Sequence, residues 1–365
     1  MRILHLGNGY FVSDFRDMGH EVIHVGFGSS GDICFHTYPI APSDIHARLP
    51  AGWNPDLIVL GDLSGFPMLV GLEFFQVPLV WYAIDSHIHL DWHMHYAAVF
   101  DLIFVAQRDV TRFYLRDGER QAVEWAPLFC MPQYDRVMGL SRDLPIAFVG
   151  SLNPQLNPAR VALIDALRSR VPLHVHHGAY ADWFNRSQIV LNQSVSNDVN
   201  FRTFQAMACG AMLLTERVGN GLEDLFRDGR HCALYTRGAV EEIVDLVRYY
   251  GRHPAEREAI AERGRQRVLA RHTSRHRAER ILSALQQYPI SKMVTLRRHR
   301  LLEVESAVAT VYDLVSRRLI HHAMTYEAGS DTRARQLRSA DVYARLAEKV
   351  RREFKDLPAR DPKAA

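Results

Sequence analysis

The chain has 365 residues, of which 47% are hydrophobic and 23% charged, and its formal net charge is +3. That length favours two domains, the apolar content argues against general disorder, and so small a charge is too weak to imply nucleic acid while compatible with anionic substrates. Its four cysteines, Cys34, Cys130, Cys209 and Cys232, are far apart and form no C-x-x-C pair, which excludes a disulfide framework and fits a reducing, cytoplasmic setting.

The first residues, MRILHLGNGY, carry an apolar stretch shorter than a secretory core and read as a strand, Arg2 to Leu6, followed by a turn, Gly7-Asn8-Gly9. A short helix over Tyr10 to Met18 and a second strand over Glu21 to Val25 complete a β-α-β unit. The turn lacks the third glycine of a dinucleotide fingerprint, since Val12 stands there, so it reads as a tight strand-to-helix turn at the mouth of a site. Asp56 to Leu60, Leu79 to Ile84 and Leu102 to Val105 are short continuous apolar runs, the pattern of buried parallel strands. The most apolar region, Leu57 to Ile84, is broken by Asp62, Pro67, Glu73 and Pro78 and therefore does not read as a membrane span.

Directly beyond the Leu79 strand lies the densest polar patch, running from Asp85 through His87, His89, Asp91 and His93 to His95. Open α/β sheets place ligands at this end of a strand. Imidazole and carboxylate side chains are suitable metal ligands, but two His-x-His pairs four residues apart would need a bend to converge. The plainer reading makes His93 and His95 solvated. The chain continues with a helix over Asp109 to Arg116 and a strand over Ala122 to Trp125. A proline-punctuated stretch, Pro127 to Pro145, reads as a hinge linker.

A second α/β alternation follows. Ile146 to Val149 is a strand, Gly150-Ser151 a turn, and Asn157-Pro158 an N-cap with proline at the first position of a helix that runs to Arg170 and contains Arg160. Leu173 to His176 is a strand, His177-Gly178 a turn, Trp183 to Arg186 a short helix and Ile189 to Gln193 a strand. The polar loop Ser194 to Asn200 opens into FRTFQAMACG, where Phe201, Phe204, Met207 and Ala208 fall at helical spacing and Gly210 stops the helix. Such a helix start offers backbone N–H groups and a positive dipole to phosphate, and Arg202 adds a fixed charge beside it. The strand Ala211 to Leu214, Thr215, a second glycine turn and further helices to Leu285 close the domain. Beyond it, Leu301 to Leu319 and Val342 to Phe354 carry amphipathic periodicity around Gly329, predicting an antiparallel α-helical hairpin. The final DLPARDPKAA reads as frayed.

Arg202, Phe204-Gln205-Ala206, Ala208-Cys209-Gly210 and Leu213-Leu214-Thr215 resemble, in order and spacing, the donor-binding core of GT-B glycosyltransferases, more narrowly the CgeB-like branch of the group 1 enzymes. The resemblance implies an α/β fold of two Rossmann-like doubly wound domains facing a cleft. The acceptor domain would span 1–126, a hinge 127–145, the nucleotide-sugar donor domain 146–288 and the helical tail 291–358. It implies transfer of a sugar from a nucleotide-diphosphate donor to a glycan, lipid or protein acceptor, retaining and without metal or other cofactor. Gly150, Ser151, Arg160, Gly178, Asn197, Asn200, Phe201, Arg202, Thr203 and Gln205 would bind the donor. Gly7, Asn8, Gly9 and His89 would form the acceptor-side loops, and His87 with Asp85 would face the donor sugar.

Asn197 and Gln205 stand where retaining relatives carry two glutamates. An amide still bonds a ribose hydroxyl, but without charge assistance. A non-catalytic sugar-nucleotide or glycan-binding subunit is therefore a second reading, and a nucleotide-sugar epimerase a third. The hairpin could pack on the core, self-associate or meet a protein acceptor.

Overall fold

The first sheet is built from β1 (Arg2–Gly7), β2 (Glu21–Phe27), β3 (Ile33–Phe35), β4 (Leu57–Gly61), β5 (Leu79–Ala83), β6 (Leu102–Val105) and β7 (Ala122–Trp125), with helices α1 (Val12–Asp17), α2 (Pro42–His46) and α3 (Leu90–Tyr96) between them. The structure is a computed structural model and describes residues 1–354 apart from Tyr38, Asp117 and Leu156; the frayed end expected at 356–365 lies outside the described residues. Strand order is β3-β2-β1-β4-β5-β6-β7, and the pairs from β3 to β6 are parallel. Every residue of β4, β5 and β6 is buried, as a sheet covered on both faces requires. The order reverses between β1 and β4, which makes the carboxyl ends of those two strands the switch point of this sheet.

The second sheet comprises β8 (Leu144–Val149), β9 (Leu173–His176), β10 (Ser187–Asn192), β11 (Met212–Glu216) and β12 (Ala233–Tyr235), all parallel, in the order β12-β11-β10-β8-β9. Its helices are α4 (Pro158–Arg168), α5 (Ala181–Arg186), α6 (Phe201–Ala208), α7 (Leu222–Leu225), α8 (Val240–Arg252), α9 (Pro254–Arg271) and α10 (Ser274–Gln287). Here the order reverses between β8 and β10. Asn157 caps α4 by accepting from Arg160 N at 3.1 Å, and Gly210, at φ +79°, follows α6 in the left-handed conformation that ends a helix.

The chain divides into two units, one of residues 1–105, 110–124 and 282–365 and the other of residues 106–109 and 125–281. Residues 126–143 belong to the second unit and are bound to it: Cys130 N donates to His272 O, and Arg142 Nη2 to Cys209 O, both at 2.9 Å. Helices α11 (Ile290–His299), α12 (Leu301–Ala323) and α13 (Asp331–Phe354) belong to the first unit. Val304, Val308, Val311, Val315 and Leu319 of α12 join the same apolar core as Leu60, Trp81 and Trp92. Ser316 Oγ donates to Ala340 O at 2.8 Å, holding α12 to α13. A buried ion pair fixes the entry to this hairpin, Arg297 Nε donating to Asp101 Oδ1 at 3.0 Å. Among the described residues no helix is long and apolar enough to cross a membrane.

The segment predicted as helix over Asp109 to Arg116 is a 3-10 helix, Arg108–Phe113. None of its residues is buried, so no apolar face draws it into a longer α-helix.

Candidate functional site

In the second unit a pocket of about 450 Å³ opens at the carboxyl ends of β8 and β10, the switch point of that sheet. Gly150, Ser151, Arg160, Gly178, Asn200, Phe201, Arg202 and Gln205 line it. The structure thus brings together eight of the ten expected donor-site residues from four separate loops and helix ends.

Two guanidinium groups form its floor. Arg202 donates from Nε to Val149 O at 2.8 Å and from Nη1 to Asn192 Oδ1 at 2.6 Å. Arg160 donates from Nε to Gln193 Oε1 at 2.8 Å, from Nη2 to Gln193 O at 3.1 Å and from Nη1 to Ser151 O at 3.3 Å. Their guanidinium carbons lie 4.9 and 5.4 Å from the centre of the same Phe148 ring. All of these acceptors are neutral oxygens, and the carboxylate of Asp198, which also lines the pocket, acts on both guanidiniums through space. Burial, and after it the neighbouring Arg160, draws the Arg202 guanidinium down to about 10, and burial lowers Arg160 as well. An anion placed between them would relieve that repulsion.

The start of α6 faces the same space. Asn200 makes no side-chain cap, and its Oδ1 is buried without a hydrogen-bond partner. The carboxylates nearby serve their own loops. Asp198 Oδ1 accepts from Ser194 Oγ at 2.6 Å and Val195 N at 3.0 Å, and Glu216 accepts from Ser194 N at 3.0 Å and Arg237 Nε at 2.7 Å. Gln205 donates from Nε2 to the Tyr180 hydroxyl at 2.9 Å, and that hydroxyl donates to Asp135 Oδ1 at 2.7 Å.

Asn197 and Thr203 do not line the pocket. Asn197, at φ +61°, accepts from Gly219 N at 3.0 Å and so ties down the loop after β11. Thr203 is buried and accepts from Asn192 Nδ2 at 3.3 Å. Sequence reasoning missed His177, Tyr180 and Asp198 as pocket residues. His177 and Tyr180 flank Gly178 just beyond β9, and that position after a strand's carboxyl end was the signal available.

In the first unit the switch point is formed by Gly7, Asn8 and Gly9. A Cβ on Gly7 would lie 2.2 Å from Gly61 O, and one on Gly61 2.1 Å from Asn8 O, so the ends of β1 and β4 approach closely only because both are glycine. Asn8 donates from Nδ2 to the Tyr10 hydroxyl at 2.9 Å.

The histidine patch forms the loop from β5 to α3. Asp85 is held at φ +48° and its carbonyl accepts from Ile88 N at 2.8 Å and His89 N at 3.1 Å. His87 is half-buried beside it. His89 accepts at Nδ1 from Arg318 Nη1 at 3.1 Å. The expectation that His93 is solvated is overturned. It is fully buried among Trp81, Trp92 and Tyr114, its Nδ1 is 2.7 Å from the Tyr114 hydroxyl, and burial holds its pKa well below the ordinary histidine value. Helical spacing places it on the inward face of α3, where Trp81 of β5 and Tyr114 cover it. His95 is partly buried, its Nδ1 3.0 Å from Arg116 Nη2. Asp62, not singled out in the sequence, accepts from Ser64 N at 2.9 Å and Ile84 N at 3.0 Å, and burial pushes its carboxyl up to about 8. Among the described residues no three His, Cys, Asp or Glu side chains are grouped to hold a metal ion.

A family model described as Glycosyl transferase-like matches residues 140–283. No curated protein matches. Among solved structures, the chain is similar to Anabaena Alr3699/HepE in complex with UDP and glucose, with a TM-score of 0.57 at 14% identity over 78% of this chain and 99% of that one. It is also similar to a glycosyltransferase from Rickettsia africae ESF-5, with a TM-score of 0.55 at 10% identity over 78% and 98% of the two chains. A third, sucrose-phosphate synthase from Thermosynechococcus elongatus, gives 0.55 at 11% identity over 79% and 99%. The fold is GT-B-like: two Rossmann-like units with a C-terminal helical pair.

Proposed function

We propose that the chain is a glycosyltransferase that takes its sugar from a nucleotide-diphosphate donor held in the second unit, and that it works in the cytoplasm. The observation that carries this reading is the pairing of Arg160 and Arg202 over one aromatic ring, held by neutral acceptors and facing the uncapped start of α6. A nucleotide diphosphate gains negative charge as the glycosidic bond breaks. Fixed cations and a helix N-terminus already in place stabilise that charge without reorganisation. These groups would do the work assigned elsewhere to a metal, and retention of configuration is what the family resemblance implies. The similar Alr3699/HepE was crystallised with UDP-glucose, which agrees with a sugar nucleotide as co-substrate.

His87 and Asp85, on the loop that leaves β5, are the candidates for the catalytic residues, and Gly7 to Gly9 with His89 for the acceptor-side loops. The acceptor is a glycan, lipid or protein hydroxyl. The second reading, a binding subunit without turnover, is favoured by one observation: the amide of Gln205 is engaged by Tyr180 and brings no charge to the site. A screen of UDP-, GDP-, dTDP- and ADP-sugars by nucleotide release and by thermal shift separates the two. Release of nucleoside diphosphate from one donor is expected; a thermal shift without release would establish the binder, and neither signal with any donor would refute both.

A further inference from the structure

The second unit carries a group of arginines that its pocket does not use. Arg227 and Arg230 stand on the turn that leads into β12, and Arg263, Arg267 and Arg271 follow one another at four-residue spacing along one side of α9. Because β12 is parallel to its neighbours, this turn lies at the amino end of the sheet, whereas the pocket opens at the carboxyl ends of β8 and β10. Gly264 lets the turn and the helix meet. A Cβ there would lie 2.4 Å from His231 O, and Arg263 Nε donates to Arg230 O at 2.9 Å beside that contact. Arg267 Nε donates to Leu225 O at 3.1 Å, and the side chains of Arg227, Arg230 and Arg271 make no hydrogen bond among the described residues.

None of the five guanidiniums is in an ion pair among the described residues. The acids of the same elements are matched elsewhere. On α9, Glu258 pairs with Arg257, Glu262 with Arg265, and Glu256 accepts from the Tyr249 hydroxyl. From α7 to β12, Glu223 and Asp228 pair with Arg217 and Asp224 with Arg108. A merely solvated helix face mixes its charges, as Glu262 and Arg265 do, and a one-sign group repels itself. The positive charges converge on His231. Burial lowers its pKa first, and Arg267, Arg230, Arg227 and Arg263 lower it further. Its Nδ1 accepts from Arg227 N at 3.0 Å, so the neutral ring carries its proton on Nε2. The free polar groups of these six side chains are therefore all donors.

We propose that this cluster is a second anion site of the unit and takes a phosphate-bearing ligand. Phosphoryl oxygens only accept, guanidinium forks match them two bonds at a time, and the ligand's charge offsets the repulsion among the arginines. The site shares no residue with the donor pocket and does not rest on the glycosyltransferase reading. The same phosphate chemistry comes free in solution or on a phospholipid headgroup.

The test titrates the full chain calorimetrically with pyrophosphate, and sediments it with vesicles of phosphatidylcholine alone or of equal parts phosphatidylcholine and phosphatidylglycerol. Pyrophosphate also suits the space between Arg160 and Arg202, so every chain in the titration carries Arg202→Ala. The cluster is removed by combining Arg227→Gln, Arg230→Gln and Arg271→Gln. These side chains hold no part of the fold, and the variant should melt close to the wild type. The control combines Arg168→Gln, Arg170→Gln and Arg186→Gln, which take away the same net charge from pairs elsewhere in the unit. A loss of pyrophosphate affinity of about tenfold or more in the cluster variant, with the control unchanged, is expected if the ligand is a free phosphate compound. Sedimentation with the anionic vesicles alone, lost in the cluster variant and kept in the control, is expected if it is a lipid headgroup. Equal binding by cluster variant and control would overturn the inference. So would a wild type that binds neither probe, including one that captures a single-stranded oligonucleotide instead.

Discussion

Gly150 leaves open the space into which Arg202 reaches: a Cβ at position 150 would lie 2.6 Å from Arg202 Nη2 and 3.0 Å from the edge of the Phe148 ring. The residue is needed for what it lacks, and its backbone is otherwise ordinary, since Gly150 N donates to His176 O at 2.9 Å within the sheet. Gly150→Ala must push the guanidinium off its ring or shift the end of β8. The guanidinium is the softer of the two. We expect nucleoside-diphosphate affinity to fall about tenfold, the worth of roughly one charge-assisted hydrogen bond, with little change in melting temperature. Calorimetric titration beside a melting curve checks this, and an unchanged affinity would place the diphosphate away from Arg202.

Arg202→Ala separates phosphate recognition from base recognition. Removing the guanidinium is expected to weaken nucleoside-diphosphate binding by about 1.5–3 kcal/mol, ten- to a hundredfold, while binding of the free nucleoside changes little. Arg160→Ala should act in the same direction. Equal small losses for both ligands would remove these arginines from the phosphate site.

What the sequence made legible follows from distance along the chain. Parallel strands buried on both faces are continuous apolar runs, so Leu57 to Leu60, Leu79 to Ile84 and Leu102 to Val105 announced themselves, whereas Ile33–Phe35 is too short to stand out. Gly150, Arg160 and Arg202 sit close to strand and helix ends, where a short stretch of sequence and its resemblance to a known pattern could single them out, and they line one pocket. Tyr180 acquires its meaning only by touching Asp135 and Gln205, 45 and 25 residues away. Arg318 and His89 are 229 residues apart. No local period encodes such pairs, and the same holds for the rings that bury His93.

The hairpin carries a pH dependence of its own. Glu305 of α12 is buried beside Glu73, and burial followed by that like charge pushes its carboxyl up to about 8, while burial raises Glu73 too. The native first unit therefore keeps a proton that the unfolded chain releases in the ordinary carboxylate range. The associated stability is full below that range and is lost as pH rises through about 8. Buried His5 and His93 act oppositely, but only below the unfolded histidine value near 6.5, so above it the raised carboxylates set the slope, joined towards pH 9 by Cys130, Cys209 and Cys232, whose thiols burial pushes up to about 12. Thermal melts of the wild type should fall from about pH 6.5 to 9. Glu305→Gln, which imitates the protonated form, should be more stable at pH 9 by on the order of 1–3 kcal/mol and close to wild type at pH 5.5. Asp62, raised to about 8 by burial, preserves part of the slope in the variant. Parallel curves for the two proteins would show that Glu305 does not hold the proton.

Gln205 decides between a transferase and a binder, and its neighbours set the terms. The Tyr180 hydroxyl has one proton and gives it to Asp135, so it must accept from its other neighbour, which Gln205 Nε2 allows. A carboxylate at that position has no proton to give. Gln205→Glu alone would set two acceptors against each other or draw the tyrosine proton away from Asp135, and donor affinity should fall a few-fold. Adding Tyr180→Phe removes the competing oxygen and frees the new carboxylate for a ribose hydroxyl, so the double variant should recover donor affinity to the wild-type level or above. Gln205→Leu should lose about 1–3 kcal/mol of donor binding, because hydroxyls buried against it would go unpaired. The non-additivity of Gln205→Glu and Tyr180→Phe is the measurement that matters, since two independent sites would simply sum. Donor affinities unchanged across all three variants would sink the ribose role. Turnover that appears only with the carboxylate in place would mark the natural chain as a binder.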